Sequence, residues 1–223
     1  MENNLNKNPS AEQQFAVAES YKTIRTNLQF MLAQTPGCKI VTISSPKAGD
    51  GKTTNAINVA IAFSQLGKKV LLIDADLRRS SVCKKLKLEN NAGLSGVLAG
   101  FAAADEVIIS VSHSFDVMPA GTTPPNPSEM LASTAMEKLL DSLRMVYDYI
   151  ILDTPPVGVV SDPLVIAPKT DGIVVILKQG VTRHDDVTKV LDNLELTGIR
   201  ILGVVLNCTD TPEKYYEYKH SDR

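Results

Sequence analysis

The chain has 223 residues, 43% of them hydrophobic, with a formal net charge of −2. That balance argues against nucleic-acid binding, which calls for a clustered basic surface, and the scattered Cys38, Cys83 and Cys208 suggest neither a zinc site nor a disulfide framework. No run approaches the ~18 apolar residues of a membrane span and the amino terminus lacks a signal-like apolar core, so one soluble, cytoplasmic domain is expected.

Residues 1–9 are polar and asparagine-rich and are expected to be disordered. Ser10-Ala11-Glu12-Gln13 has capping-box spacing, and Val17, Tyr21, Ile24, Leu28 and Met31 recur at helical intervals, which predicts an amphipathic helix over 10–34, stopped near Pro36-Gly37. The apolar run Ile40-Val41-Thr42-Ile43 then leads into Ser44-Ser45-Pro46-Lys47-Ala48-Gly49-Asp50-Gly51-Lys52-Thr53-Thr54 and an apolar helix. This reads as strand, phosphate loop, helix. Gly49 and Gly51 let the backbone approach an anion at the positive end of the new helix. Lys52 would reach the β and γ phosphates, and the Thr53 hydroxyl would hold magnesium. The strict pattern G-x-x-x-x-G-K-[ST] requires glycine at 46, where this chain has Pro46, so the loop is a variant.

A second strand, Lys69-Val70-Leu71-Leu72-Ile73, ends in Asp74-Ala75-Asp76-Leu77-Arg78-Arg79. Open α/β sheets place ligands at the carboxyl ends of their strands, so these acids should face the phosphate loop. Further on, a short helical piece at 94–98, a strand at 115–118, a proline-forced extended loop over 119–127 and a helix opened by Thr134 and Glu137 and running to about Tyr147 are predicted. Tyr149-Ile150-Ile151-Leu152 is a buried-type strand, and the Asp153 that follows it is the expected second magnesium contact. A strand at 172–177, a helix at about 183–196 and a strand at 201–207 complete a doubly wound, mostly parallel α/β sheet. No catalytic role is assigned to the scattered His113, His184 and His220. The tail, 208–223, carries Tyr215, Tyr216 and Tyr218 and is expected to be flexible.

The phosphate loop, the Val70–Arg79 stretch, Tyr147–Pro156, the Pro119–Glu129 segment, Gly203-Val204-Val205-Leu206-Asn207 and the tyrosine-bearing tail together resemble the bacterial tyrosine kinases of capsule and exopolysaccharide synthesis. The resemblance implies a P-loop domain over 10–207, of the deviant Walker (ParA/MinD-like) group, that uses ATP and Mg2+ as a non-specific protein-tyrosine kinase. It implies catalysis by Lys52, Asp74, Asp76 and Asp153, with Asp74 accepting the tyrosine proton. Nucleotide would be held by Gly49, Asp50, Gly51, Lys52, Thr53, Thr54 and, at the adenine edge, Asn207, and magnesium by Thr53, Asp76 and Asp153. The acceptors would be Tyr215, Tyr216 and Tyr218, phosphorylated in trans within a ring of copies. The family's ring motif E-x-x-R-x-x-R appears as Glu19, Lys22 and Arg25, with lysine in place of the first arginine. The resemblance also implies a transmembrane activator that recruits the kinase to the inner face of the membrane, and a protein-tyrosine phosphatase as a further partner. An alternative stays open: Lys47 falls where the partition ATPases ParA and MinD have their signature lysine, which would make this an ATPase without kinase activity.

Overall fold

A computed structural model describes residues 10–89 and 92–209. Helix α1 (Ala11–Met31) starts with the capping box expected of its sequence: Gln13 N donates to Ser10 Oγ at 3.2 Å, and Ser10 N donates to Gln13 Oε1 at 2.9 Å. It ends three residues short of the expected boundary. There follow β1 (Lys39–Ser44), α2 (Lys52–Ser64), β2 (Val70–Asp74), α3 (Val82–Leu86), α4 (Leu94–Leu98), α5 (Ala104–Val107), β3 (Ile109–Ser112) and β4 (Phe115–Met118). The chain continues as α6 (Pro127–Ala132), α7 (Thr134–Arg144), β5 (Tyr149–Asp153), α8 (Asp162–Ile166), β6 (Gly172–Lys178), α9 (His184–Leu196) and β7 (Ile201–Asn207).

The strands form one seven-stranded sheet in the order β3-β4-β2-β5-β1-β6-β7, parallel except for the antiparallel β3–β4 pair. The β3 edge strand was not expected, because its Ser-rich alternation is weak and its pairing with β4 supplies the missing order. Helix α7 is capped by Ser133, whose Oγ accepts from Met136 N at 3.3 Å, rather than opened by Thr134. The stretch expected to stay extended to 127 becomes helical at Pro127, whose fixed φ suits a first helical turn.

Strands β1, β2 and β5 are buried along almost their whole length, as continuous apolar runs in a parallel sheet require. Their side chains alternate between two layers. Val41, Ile43, Val70, Leu72 and Ile151 pack with α1 and α2, while Ile40, Leu71, Ile73, Ile150 and Leu152 pack with α7. In the first layer the Phe63 ring, fully buried, stacks on Tyr149 with centroids 3.9 Å apart. Phe63→Ala is therefore expected to destabilise the protein by about 3–5 kcal/mol, which thermal or urea unfolding will read directly.

Candidate active site

Sheet order builds the site. Because β5 lies between β1 and β2, with Asp153 in register with Ile43 on one side and Asp74 on the other, three carboxyl strand ends meet at one edge. The phosphate loop leaves the first, and the two acids end the others. The loop is tied to its neighbour by Ser44, whose Oγ donates to Pro155 O at 2.7 Å and accepts from Val157 N at 3.0 Å.

Within the loop Gly49 (φ 90°) and Gly51 (φ 99°) adopt the left-handed backbone expected of them. A Cβ on Gly51 would fall 2.0 Å from Asn207 Nδ2, so any other residue would have to displace the Asn207 side chain. Asn207 donates from that nitrogen to Asp50 O at 2.9 Å, which brings the end of β7 against the loop backbone. Asp50 is buried with its carboxylate turned inward, accepting from Lys47 N at 2.9 Å and Thr182 Oγ1 at 3.2 Å. It thus stiffens the loop and leaves only its backbone for a ligand. Thr54 is exposed on the first turn of α2. The Lys47 ammonium pairs with Asp186 on α9, inside its own chain.

Lys52 Nζ lies 3.4 Å from Asp76 Oδ2, and Thr53 Oγ1 lies 2.9 Å from Ser81 Oγ. Asp74 organises the turn after β2: its Oδ1 accepts from Asp76 N at 3.2 Å, and its Oδ2 accepts from Ser81 N and Val82 N, each at 3.1 Å. Asp76 Oδ1 accepts from Arg79 N at 2.9 Å. Asp153 is fully buried, and neither of its oxygens makes a hydrogen bond of good geometry, although the Thr53 hydroxyl lies close enough to favour its charged form. Burial, and then the neighbouring Asp74 charge, push its carboxyl well above the usual range, against the pull of Lys52. The Asp74 carboxyl is also raised, chiefly by burial, with the three amides opposing. Asp76 and Asp153 thus share the Lys52 ammonium, with the Asp74 carboxyl beside them. An excess of negative charge with a poorly bonded buried carboxylate is what a divalent cation between Thr53, Asp76 and Asp153 would satisfy.

A group whose folded carboxyl titrates higher than its unfolded one stabilises the fold in acid and loses that contribution as pH rises. Asp153→Asn should therefore raise the melting temperature of the nucleotide-free protein at pH 8, by about 1–3 kcal/mol of stability, with the gain shrinking toward pH 5. Differential scanning calorimetry across that range, without nucleotide, will show it.

On α1, Lys22 Nζ pairs with Glu19 Oε1 of the same helix at 2.6 Å, while Arg25 Nη1 donates to Ala62 O on α2 at 2.9 Å. Lys22 is exposed, whereas Glu19 and Arg25 are partly buried. Tyr21 links this helix to the loop: its hydroxyl donates to Asn55 Oδ1 at 3.2 Å, and Asn55 Nδ2 donates to Gly51 O at 3.0 Å. Sequence reading passed over Asn55, Ser81 and Tyr21 as site neighbours, since nothing local distinguishes them. Tyr215, Tyr216 and Tyr218 lie outside the described residues.

A strand–loop–helix anion site flanked by acids at neighbouring parallel strand ends defines a P-loop nucleotide-binding protein of the deviant Walker group. Residues 38–197 match the family described as "AAA domain". Tyrosine-protein kinase YwqD of Bacillus subtilis (strain 168) is 38% identical over 191 residues, covering 85% of this chain and 80% of that protein. The crystal structure of the chimerical protein CapA2B2 superposes with a TM-score of 0.81 at 35% identity, covering 93% of this chain and 88% of that one. The septum site-determining protein MinD of Pyrococcus horikoshii OT3, complexed with Mg-ADP, has a TM-score of 0.65 at 26% identity, covering 81% and 76%. The chain belongs to the bacterial tyrosine-protein kinases.

Proposed function

We propose that this kinase transfers the γ-phosphoryl group of ATP to tyrosine hydroxyls, among them Tyr215, Tyr216 and Tyr218 of a neighbouring copy, and thereby regulates the synthesis and export of capsular or extracellular polysaccharide. The observation that carries this reading is the meeting of Lys52, Asp74, Asp76 and Asp153 at one sheet edge beside the loop. Family membership supplies the reaction class.

The Gly49–Thr54 amides and the Lys52 ammonium hold the phosphates of ATP, and Asn207, already against the loop at Asp50, stands toward the base. Thr53, Asp76 and Asp153 would hold magnesium, which would supply neutralisation of phosphate charge. Asp74 takes the phenolic proton as the tyrosine oxygen attacks the γ phosphorus. The bond from that phosphorus to the β,γ-bridging oxygen breaks, and ADP leaves. A carboxyl with raised proton affinity suits that role. Family membership favours the kinase reading over the partition-ATPase one.

The ring contacts between copies would use Glu19, Lys22 and Arg25 of α1, of which Arg25 also bonds to Ala62 O on α2. Among the described residues no helix is long and apolar enough to cross a membrane. Recruitment to the inner membrane face falls to the cytoplasmic segment of a transmembrane activator, and a phosphatase resets the tyrosines. Each phosphate adds about 1.5 to 2 negative charges, so a phosphorylated tail repels its neighbours and loosens the ring.

The test is intact mass and anti-phosphotyrosine detection after incubation with Mg-ATP, with and without that activator segment, beside a Tyr215/Tyr216/Tyr218→Phe variant. Phosphate on the tail that disappears in the variant is expected. ATP hydrolysis with no phosphotyrosine, even with the activator, would return the chain to the partition-ATPase class.

A further inference from the structure

Arg78 follows Asp76 by two residues, and its guanidinium forks onto Asp162 at the start of α8: Nε donates to Oδ2 at 2.8 Å and Nη2 to Oδ1 at 2.9 Å. Ser128, in the first turn of α6, completes the arrangement. Its Oγ accepts from Arg78 Nη2 at 3.1 Å, and its hydroxyl donates to Asp162 Oδ1. Asp162 is fully buried, whereas the Arg78 side chain remains 40% exposed. Burial pushes the Asp162 carboxyl up, but the Arg78 fork and the Ser128 hydroxyl outweigh it and leave it below the usual carboxylate range. A completely buried carboxylate is costly unless every oxygen is paired, and here both are.

The fork joins three segments far apart in sequence: the turn after β2, the end of the proline-rich stretch, and α8. Its position matters because the bonds inside the turn are local. Asp74 accepts from Asp76, Ser81 and Val82, and Asp76 accepts from Arg79. These fold the turn upon itself. The buried Leu77 seats its apolar side, and the Arg78–Asp162 fork fixes its polar side relative to the other helices.

We infer that Asp162 is a positioning residue for the acidic turn, acting through Arg78, with Ser128 in support, to hold Asp76 where Lys52 and a magnesium nucleotide meet it. This rests on the reading of Asp76 as a magnesium-nucleotide contact. Residues that orient a metal contact without touching the metal typically control about 10–100-fold of its affinity.

The experiment uses the full chain and a fluorescent ADP analogue titrated with magnesium and in EDTA, together with phosphotyrosine kinetics and melting temperatures. Asp162→Asn and Arg78→Lys, which keeps the charge but not the fork, should each raise the magnesium needed for half-maximal nucleotide binding by about tenfold or more. Affinity in EDTA should stay within about twofold, because the loop amides and Lys52 are unaltered. Ser128→Ala should show a smaller shift, about two- to tenfold, because it removes the two hydrogen bonds of the hydroxyl but leaves the fork itself in place. The Arg78→Lys/Asp162→Asn double variant should be no worse than the worse single one, since the two act as a unit.

A lower melting temperature with unchanged magnesium dependence would make Asp162 a purely structural residue and overturn the inference. So would equal losses with magnesium and in EDTA, which would point to a damaged phosphate loop. Arg78→Lys and Ser128→Ala decide the matter if Asp162→Asn fails to fold. Asp76→Asn, run alongside, separates two failures. If it also leaves the magnesium dependence intact, the assignment of Asp76 has failed and the inference falls with it; if it alone abolishes the dependence, only the role of Asp162 has failed.

Discussion

Lys52→Met is expected to reduce tyrosine phosphorylation by about 10²–10³-fold or more, the usual consequence of removing a fixed donor from a site where transition-state charge develops. The side chain is mostly buried, and its ammonium lies 3.4 Å from Asp76 in a cluster that also contains Asp74 and Asp153. Methionine matches the length of the stem and deletes the charge. Two deficits are expected: a cation is lost beside the phosphate loop, and Asp76 and Asp153 lose their counter-charge. The raised proton affinity of Asp153 should then climb further, because Lys52 is a group that holds it down. Initial rates of phosphotyrosine formation at saturating Mg-ATP measure the first effect. An unchanged rate would remove Lys52 from the mechanism.

Asp74→Asn is expected to lower kcat by about 10²–10⁴-fold, the range of a general base, with a much smaller change in nucleotide affinity. The structure adds a second consequence. Both Asp74 oxygens accept backbone amides, and an asparagine would turn its own donor toward either Asp76 N or the Ser81 and Val82 pair. The orientation toward Asp76 N sacrifices one amide hydrogen bond instead of two, making a donor–donor contact that costs about 1–3 kcal/mol of stability. Stopped phosphorylation with nucleotide binding retained and a modestly lower melting temperature is the expected pattern. If kcat is unchanged, Asp74 is the organiser of the turn and not its base.

These two residues show how far local sequence reaches. Lys52 was legible because glycine, lysine and threonine between a strand and a helix serve an anion by adjacency alone. Asp74 was legible as an acid at a strand end, but its three amide partners were not, since they depend on how the next eight residues fold back. Asp50 shows the opposite. Its place in the loop suggested a ligand contact, yet its carboxylate is spent on Lys47 N and Thr182. Likewise the charges on α1 formed one motif in sequence, but the structure divides them, with Glu19 and Lys22 paired along the helix and Arg25 turned onto α2.

The sequence by itself determined the parallel α/β class, the phosphate loop, and the acids at the ends of two buried strands. Each of these follows from a local cause: continuous apolar runs, glycine's access to positive φ, and charge placed where a strand must end. Only the tertiary structure decided that β5 lies between β1 and β2, so that Asp74 and Asp153 stand side by side. It also decided that Arg78 answers Asp162, 84 residues away, and that Lys47 answers Asp186, 139 residues away. Such pairings are set by strand order and helix packing, which follow from burying both faces of the whole sheet at once. No window of neighbouring residues contains that information.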